Sequence, residues 1–204
     1  MININIIIYK IGSLLINYYN RGRNIYLKKN ITSAPDVLFG QNSNVINNQS
    51  DYLKLKIGRN SRIDGQLIVF PYGEGLKIGE NCYVGENSRI WAADRIRIGD
   101  NVLISHNVNI MDTDSHEIDF KDRQKSAIKQ FAEGLPKEKG KVKTKPIIIE
   151  DNVWISFNST ILKGVKIGRG SIIGCNSVVI HDVPPFSLAI GSPAKVVKSL
   201  NEDK

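Results

Sequence analysis

Residues 149–179 read IEDNVWISFNSTILKGVKIGRGSIIGCNSVV, with an apolar residue at every sixth position: Ile149, Ile155, Ile161, Ile167, Ile173 and Val179. The same interval runs through Ile57 and Ile63, through Ile78, Val84 and Ile90, and through Ile98, Ile104 and Ile110. A period of six fits neither a helix nor a flat strand. It marks a parallel β-helix of hexapeptide repeats, in which about eighteen residues make one three-sided coil. The apolar residue heading each hexapeptide points inward and stacks on its equivalent one coil later. Glycine often follows it (Gly58, Gly79, Gly85, Gly99, Gly168, Gly174), with asparagine two further on (Asn60, Asn81, Asn87, Asn101, Asn107, Asn152). Both types are expected to tolerate tight corner dihedrals. The period does not set the hand of the coil, and right-handed crossovers are the general rule.

The chain has 204 residues, of which 41% are hydrophobic, enough for one solenoid with short flanks. A formal charge of +8 suits a phosphate-bearing ligand, an acidic membrane face or nucleic acid. No aromatic–basic groove or nucleic-acid motif accompanies the charge, so nucleic acid is not expected as a partner. Cys82 and Cys175 fall on different coils, which predicts free thiols and a reducing compartment, here the cytoplasm. Residues 1–26 lack a basic start and a small-residue cleavage site, so no signal peptide is expected. No apolar run approaches the length of a transmembrane helix.

Three regions follow. Residues 1–30 form an amphipathic helix: Ile4, Ile8, Ile11, Leu15 and Tyr18 share one side, with Asn3, Lys10 and Asn17 opposite. It reads first as a cap over the open end of the solenoid, and alternatively as an interfacial helix touching a membrane. Residues 31–185 form the β-helix, interrupted by a polar, lysine-rich loop at 117–146 where the interval of six is lost. Long loops inside compact domains are usually functional or disordered. Residues 186–204 hold the Gly191-Ser192-Pro193 turn and a short C-terminal helix expected over Ala194–Leu200.

There are three histidines. His116 closes Ile110-Met111-Asp112-Thr113-Asp114-Ser115-His116 and falls where the next buried apolar residue is due. A histidine that breaks the pattern beside the largest loop is a candidate base, because imidazole exchanges protons near neutral pH. Asp112 and Asp114 are candidates for orienting the ring or holding an acceptor, although Asp-Thr-Asp-Ser is also good turn chemistry. His106 lies in an ordinary corner, and His181 begins the exit from the repeats. The three do not give the close pair that a zinc site would need, so no metal is expected.

Several segments resemble the left-handed β-helix acyltransferases. They are Asn101-Val102-Leu103-Ile104, Asp114-Ser115-His116-Glu117-Ile118, Ile149-Glu150-Asp151-Asn152-Val153-Trp154-Ile155, Asp182-Val183-Pro184-Pro185-Phe186 and Gly191-Ser192-Pro193-Ala194-Lys195-Val196-Val197. Within that group the similarity is to maltose/galactoside and xenobiotic acetyltransferases and to O-acetyltransferases of surface-polysaccharide synthesis. The resemblance implies an all-β, left-handed parallel β-helix and an acetyl-CoA-dependent enzyme. It also implies a homotrimer with its site between neighbouring subunits, and His116 as the base. For coenzyme A it implies Trp154 near the site, Ser156 and Cys175 beside the pantetheine arm, Ile180 and His181 where a Thr-Lys pair is common, and Lys195 and Lys198 near the phosphates. Gly85 stands where the maltose/galactoside enzymes place an acceptor-binding asparagine, so the acceptor is not read as in those enzymes. The expected acceptor is a sugar or glycan hydroxyl. An amino-sugar nitrogen, an antibiotic, or a solenoid that binds without catalysis are the alternatives.

Overall fold

The computed structural model describes residues 4–200, and the side chains of all of these except 4–8, 17, 20 and 21. The chain is a left-handed parallel β-helix whose three sheets form the faces of a prism. The first face begins with strand Thr32–Ser33, the second with Leu38–Phe39 and the third with Asn44–Asn47; every later coil adds to each face in turn. The interval of six becomes three vertical columns. Ile57, Ile78, Ile98, Ile149 and Ile167 stack on the first face. Ile63, Val84, Ile104, Ile155 and Ile173 stack on the second, and Leu67, Ile90, Ile110, Ile161 and Val179 on the third. All of these side chains are buried and belong to one continuous core.

Two of the three corners are tight and regular. Asn60, Asn81, Asn101 and Asn152 at the first corner, and Asn87, Asn107, Asn158 and Asn176 at the second, all have φ between 53° and 60°. Asparagine enters this left-handed region more readily than other residues with a side chain. The glycines before them answer a different need. Gly58 and Gly85 are not at positive φ; a Cβ on either would lie 2.6 Å from the backbone of the next coil. Buried serines satisfy the corner backbone. Ser88 Oγ donates to Ser105 O at 2.6 Å and accepts from Val108 N at 2.9 Å, and Ser159 Oγ donates to Gly174 O at 2.9 Å. Cys82 is buried in an equivalent place, its Sγ 3.1 Å from Gly99 O, whereas Cys175 is exposed; both thiols are free.

Three expectations change. The C-terminal segment Ala194–Ser199 is a strand rather than a helix, paired antiparallel with Ser187–Gly191 on the second face. The open edge of Ser187–Gly191 supplies backbone partners, and Val196 and Val197 favour a strand. The lysine-rich loop is partly helical: α2 (Phe120–Glu133) starts at Asp119, whose carboxylate accepts from Lys121 N and Asp122 N, both at 3.0 Å. The N-terminal helix, α1 (Ile4–Lys28), caps the column only with its last turns. Leu27 joins the core, and the Arg23 guanidinium donates to Gly40 O at 2.7 Å and to Ser43 O. Ile11, Leu15 and Tyr18 stay exposed. Asn3 and the side chains of Ile4, Ile8 and Asn17 lie outside the described residues.

Ile161, fully buried in the third column, should lose about 2–5 kcal/mol of stability on replacement by alanine. Ile148 points outward from the first face, and Ile148→Ala should change stability by no more than about 0.5–1 kcal/mol. Urea unfolding of the two variants checks the inward–outward assignment.

Candidate active site

The third edge, where the third face returns to the first, carries no regular asparagine corner. There the chain leaves the column after strand Asn109–Met111 and returns at Ile147. Its two limbs are stapled together. Thr113 bridges Thr144, Asp114 N donates to Lys143 O at 3.0 Å, and Lys145 N donates to Asp112 O at 3.0 Å. Thr144 Oγ1 also donates to Asp94 Oδ2 at 3.0 Å, tying the loop base to the preceding coil.

Asp112 is a brace. It is completely buried, and its carboxylate accepts from Ala93 N at 2.7 Å and Asp94 N at 2.9 Å. Both oxygens face the coil below, so Asp112 does not hold an acceptor as the sequence suggested. Burial pushes its carboxyl up to about 6, against the opposing pull of the two backbone N–H groups. Asp114 is half-buried and ion-paired with Lys163 from the coil above. That pairing fixes the segment that presents His116, with Ser115 at φ 64° between them and its N–H donating to Thr113 Oγ1 at 3.0 Å.

His116 is exposed on this rim and has no hydrogen-bond partner among the described residues. It does not take the buried position that the interval of six assigns to it, because the chain has already left the column. Glu117 turns inward instead. Its Oε1 accepts from Ser126 Oγ of α2 at 2.6 Å, and Arg123 of α2 donates to the carbonyls of Glu117 and Ile118, both at 2.9 Å. Tyr72 lies under the same loop. Its phenol is raised first by burial and then by the charges of Asp112 and Glu117.

The residues expected to hold coenzyme A divide into two groups. Trp154 projects from the second face, with Nε1 3.3 Å from Ser105 Oγ. Ser156 is buried at the second corner, and exposed Cys175 occupies that corner one coil further, joined by Asn176 N donating to Phe157 O at 3.1 Å. Lys195 and Lys198 are exposed on the hairpin strand that extends the second face. Ile180 and His181 lie elsewhere, on the third edge with His116 and Lys163. The width of the third face, roughly 10–13 Å for a strand of three or four residues, separates the two groups. Lys163, Glu117 and Thr144 were not singled out from the sequence; only knowledge of the coil register shows that Lys163 sits one step above Asp114. Among the described residues no group of three or more His, Cys, Asp or Glu side chains is placed to hold a metal.

Comparison with known proteins agrees with this architecture. Residues 146–181 match the bacterial transferase hexapeptide (six repeats), and residues 75–111 the hexapeptide repeat of succinyl-transferase. A Schizosaccharomyces pombe protein named as an acetyltransferase is 42% identical over 91 residues, 45% of this chain and 37% of its own length. A tetrahydropyridine-dicarboxylate N-acetyltransferase of Clostridium perfringens is 53% identical over 57 residues, 28% of this chain and 24% of its own. The matches thus span only 24% and 37% of the length of these curated relatives. A crystal structure of a hexapeptide-repeat acetyltransferase from Vibrio cholerae superposes with a TM-score of 0.58 at 25% identity, covering 90% of this chain and 82% of that one. An N-acyltransferase from Bacillus cereus shares the fold with a TM-score of 0.67 at 20% identity, covering 88% of each chain.

The Asp112 brace has a pH signature. A buried carboxyl raised to about 6 contributes stability that is fully present below its ordinary value of 3.8 and lost as pH rises through 6. The stability difference between wild type and Asp112→Ala should therefore shrink by up to about 2–3 kcal/mol between pH 4 and pH 7. Chemical denaturation across that range measures it. By repeat pattern and by fold, the chain is a left-handed β-helix with the architecture of the hexapeptide-repeat acyltransferases.

Proposed function

We propose that the protein is an acetyl-CoA-dependent acetyltransferase working as a homotrimer, with His116 as general base. The observation that carries this reading is the exposed imidazole at the stapled third edge, held out by the Asp114–Lys163 pair and flanked by α2. The Vibrio cholerae relative, 27% identical in its acetyl-CoA complex with a TM-score of 0.52, supports the donor. The residues present suit such a donor. Trp154 offers an exposed ring, Ser156 and Cys175 are small side chains at the neighbouring corner, and Lys195 and Lys198 are exposed cations for phosphates.

Acetyl-CoA supplies an activated thioester carbonyl. His116 removes the proton from an acceptor hydroxyl as its oxygen attacks that carbonyl; the new C–O bond forms, the C–S bond breaks, and His116 returns the proton to the leaving sulfur. The separation of His116 from the Ser156–Cys175 corner supports a site shared by two copies, one bringing the base and its neighbour the donor arm. Exposed apolar groups on the second face (Leu38, Leu103, Trp154) and on α2 (Phe120, Ile128, Phe131) offer surfaces for such packing. In this reading the acceptor is a sugar or glycan hydroxyl, the reaction serves surface-polysaccharide synthesis, and the enzyme works in the cytoplasm, where acyl thioesters are found.

Thiol release from acetyl-CoA over a panel of sugars, nucleotide sugars and amino-sugar antibiotics tests the activity. Changing His116→Ala should lower turnover by about 10²–10⁴-fold with folding intact, and equal turnover would remove His116 from the mechanism. Subunit sharing has its own readout. His116→Ala and Cys175→Trp, each inactive alone, should regain up to about a quarter of the sites when co-assembled. No recovery would assign the whole site to one chain.

A further inference from the structure

Helix α1 touches the column only near its C-terminal end, and Tyr9 and Ile16, on the same side as Leu27, are exposed further up. Arg23 and Leu27 meet the first coils, while the opposite side presents Ile11, Leu14, Leu15, Tyr18, Ile25 and Tyr26. These six residues are each 53–83% exposed. Their spacing of three, four and seven keeps them in one stripe, roughly 22 Å long at the helical rise. The apolar stripe therefore points away from the column it was expected to cover.

The charge of this segment is one-sided. The first acidic residue of the chain is Asp36, and Lys10, Arg21, Arg23, Lys28 and Lys29 all precede it. Two copies of α1 packed together would set cations against cations with no acid in the segment to balance them. Anionic phospholipid headgroups supply the missing charge. Tyr18 and Tyr26, within the stripe, have the ring-plus-hydroxyl character favoured at a membrane–water boundary. Among the described residues no helix is long and apolar enough to cross a bilayer.

We propose that α1 lies flat in the interface of an anionic phospholipid bilayer, its stripe at the acyl boundary and exposed Lys10 and Lys29 among the headgroups. The contact holds the column through the Arg23 and Leu27 attachment, and it does not depend on the acyl-transfer reading.

Sedimentation of the full chain with vesicles tests it, comparing phosphatidylcholine alone with phosphatidylcholine containing about 30% phosphatidylglycerol. Wild type should bind the anionic vesicles at least about tenfold more strongly, and added salt should weaken the binding. Leu14→Glu/Tyr18→Glu alters only exposed side chains and should keep the wild-type melting curve while losing about tenfold or more in vesicle binding. Lys10→Gln/Lys29→Gln should lose the preference for anionic vesicles. Wild type remaining in the supernatant, or the Leu14/Tyr18 variant pelleting like wild type, would overturn the proposal. So would a fall in oligomer mass of that variant by light scattering, which would assign the stripe to a second copy.

Discussion

Ile63, Val84, Ile104, Ile155 and Ile173 lie one above another, and the strands that carry them are hydrogen-bonded in parallel from coil to coil. This stacking is the constraint on which the remaining structure depends. A short two- or three-residue strand has little stability of its own. It persists because its inward side chain, contributing about 1.5–3 kcal/mol on burial, sits on an equivalent side chain below and under another above. The coil spacing that permits this contact also brings the corners close together. That is why Gly58 and Gly85 have no side chain, and why Asp100 and Asp151 reach back to backbone N–H groups of the preceding coil at 2.7 and 2.8 Å.

The three edges of the prism are unequal. Asparagines at positive φ close the first two with no room for extra residues. The third edge accepts insertions, because a chain that overshoots there can still re-enter the first face in register. The Pro71–Gly75 turn and the 117–146 excursion both begin there. The largest excursion is anchored by pairing its two limbs and by the buried Asp112 carboxylate. A rigid column thus presents His116 on a short, pinned segment, which is the kind of support that precise positioning of a reacting group needs.

The two ends of the column are managed differently. At the C-terminal end the Ser187–Gly191 and Ala194–Ser199 hairpin replaces parallel pairing with an antiparallel edge, which limits further stacking on the second face. At the N-terminal end the last turns of α1 cover part of the first coil, and the rest of the helix stands clear with its apolar stripe outward. The solenoid is therefore closed at one end by its own backbone and equipped at the other with an unpartnered amphipathic surface.

The sequence by itself determined the architecture. The interval of six named the columns and their inward residues before any coordinate, because each hexapeptide obeys the same local rule and burial repeats with it. It also marked His116, since a polar residue at a due apolar position is a visible break. The ends and the edge were decided by tertiary structure. Ala194–Ser199 carries both helical and strand character, and the open edge of Ser187–Gly191 chose the strand. Asp112 and Asp114 look alike as sequence, yet one is sealed against Ala93 and Asp94 while the other meets Lys163, which lies 49 residues further along the chain. Which way α1 turns its stripe followed from where Arg23 and Leu27 found partners. Local pattern fixes what repeats, whereas contacts between distant residues fix what occurs once.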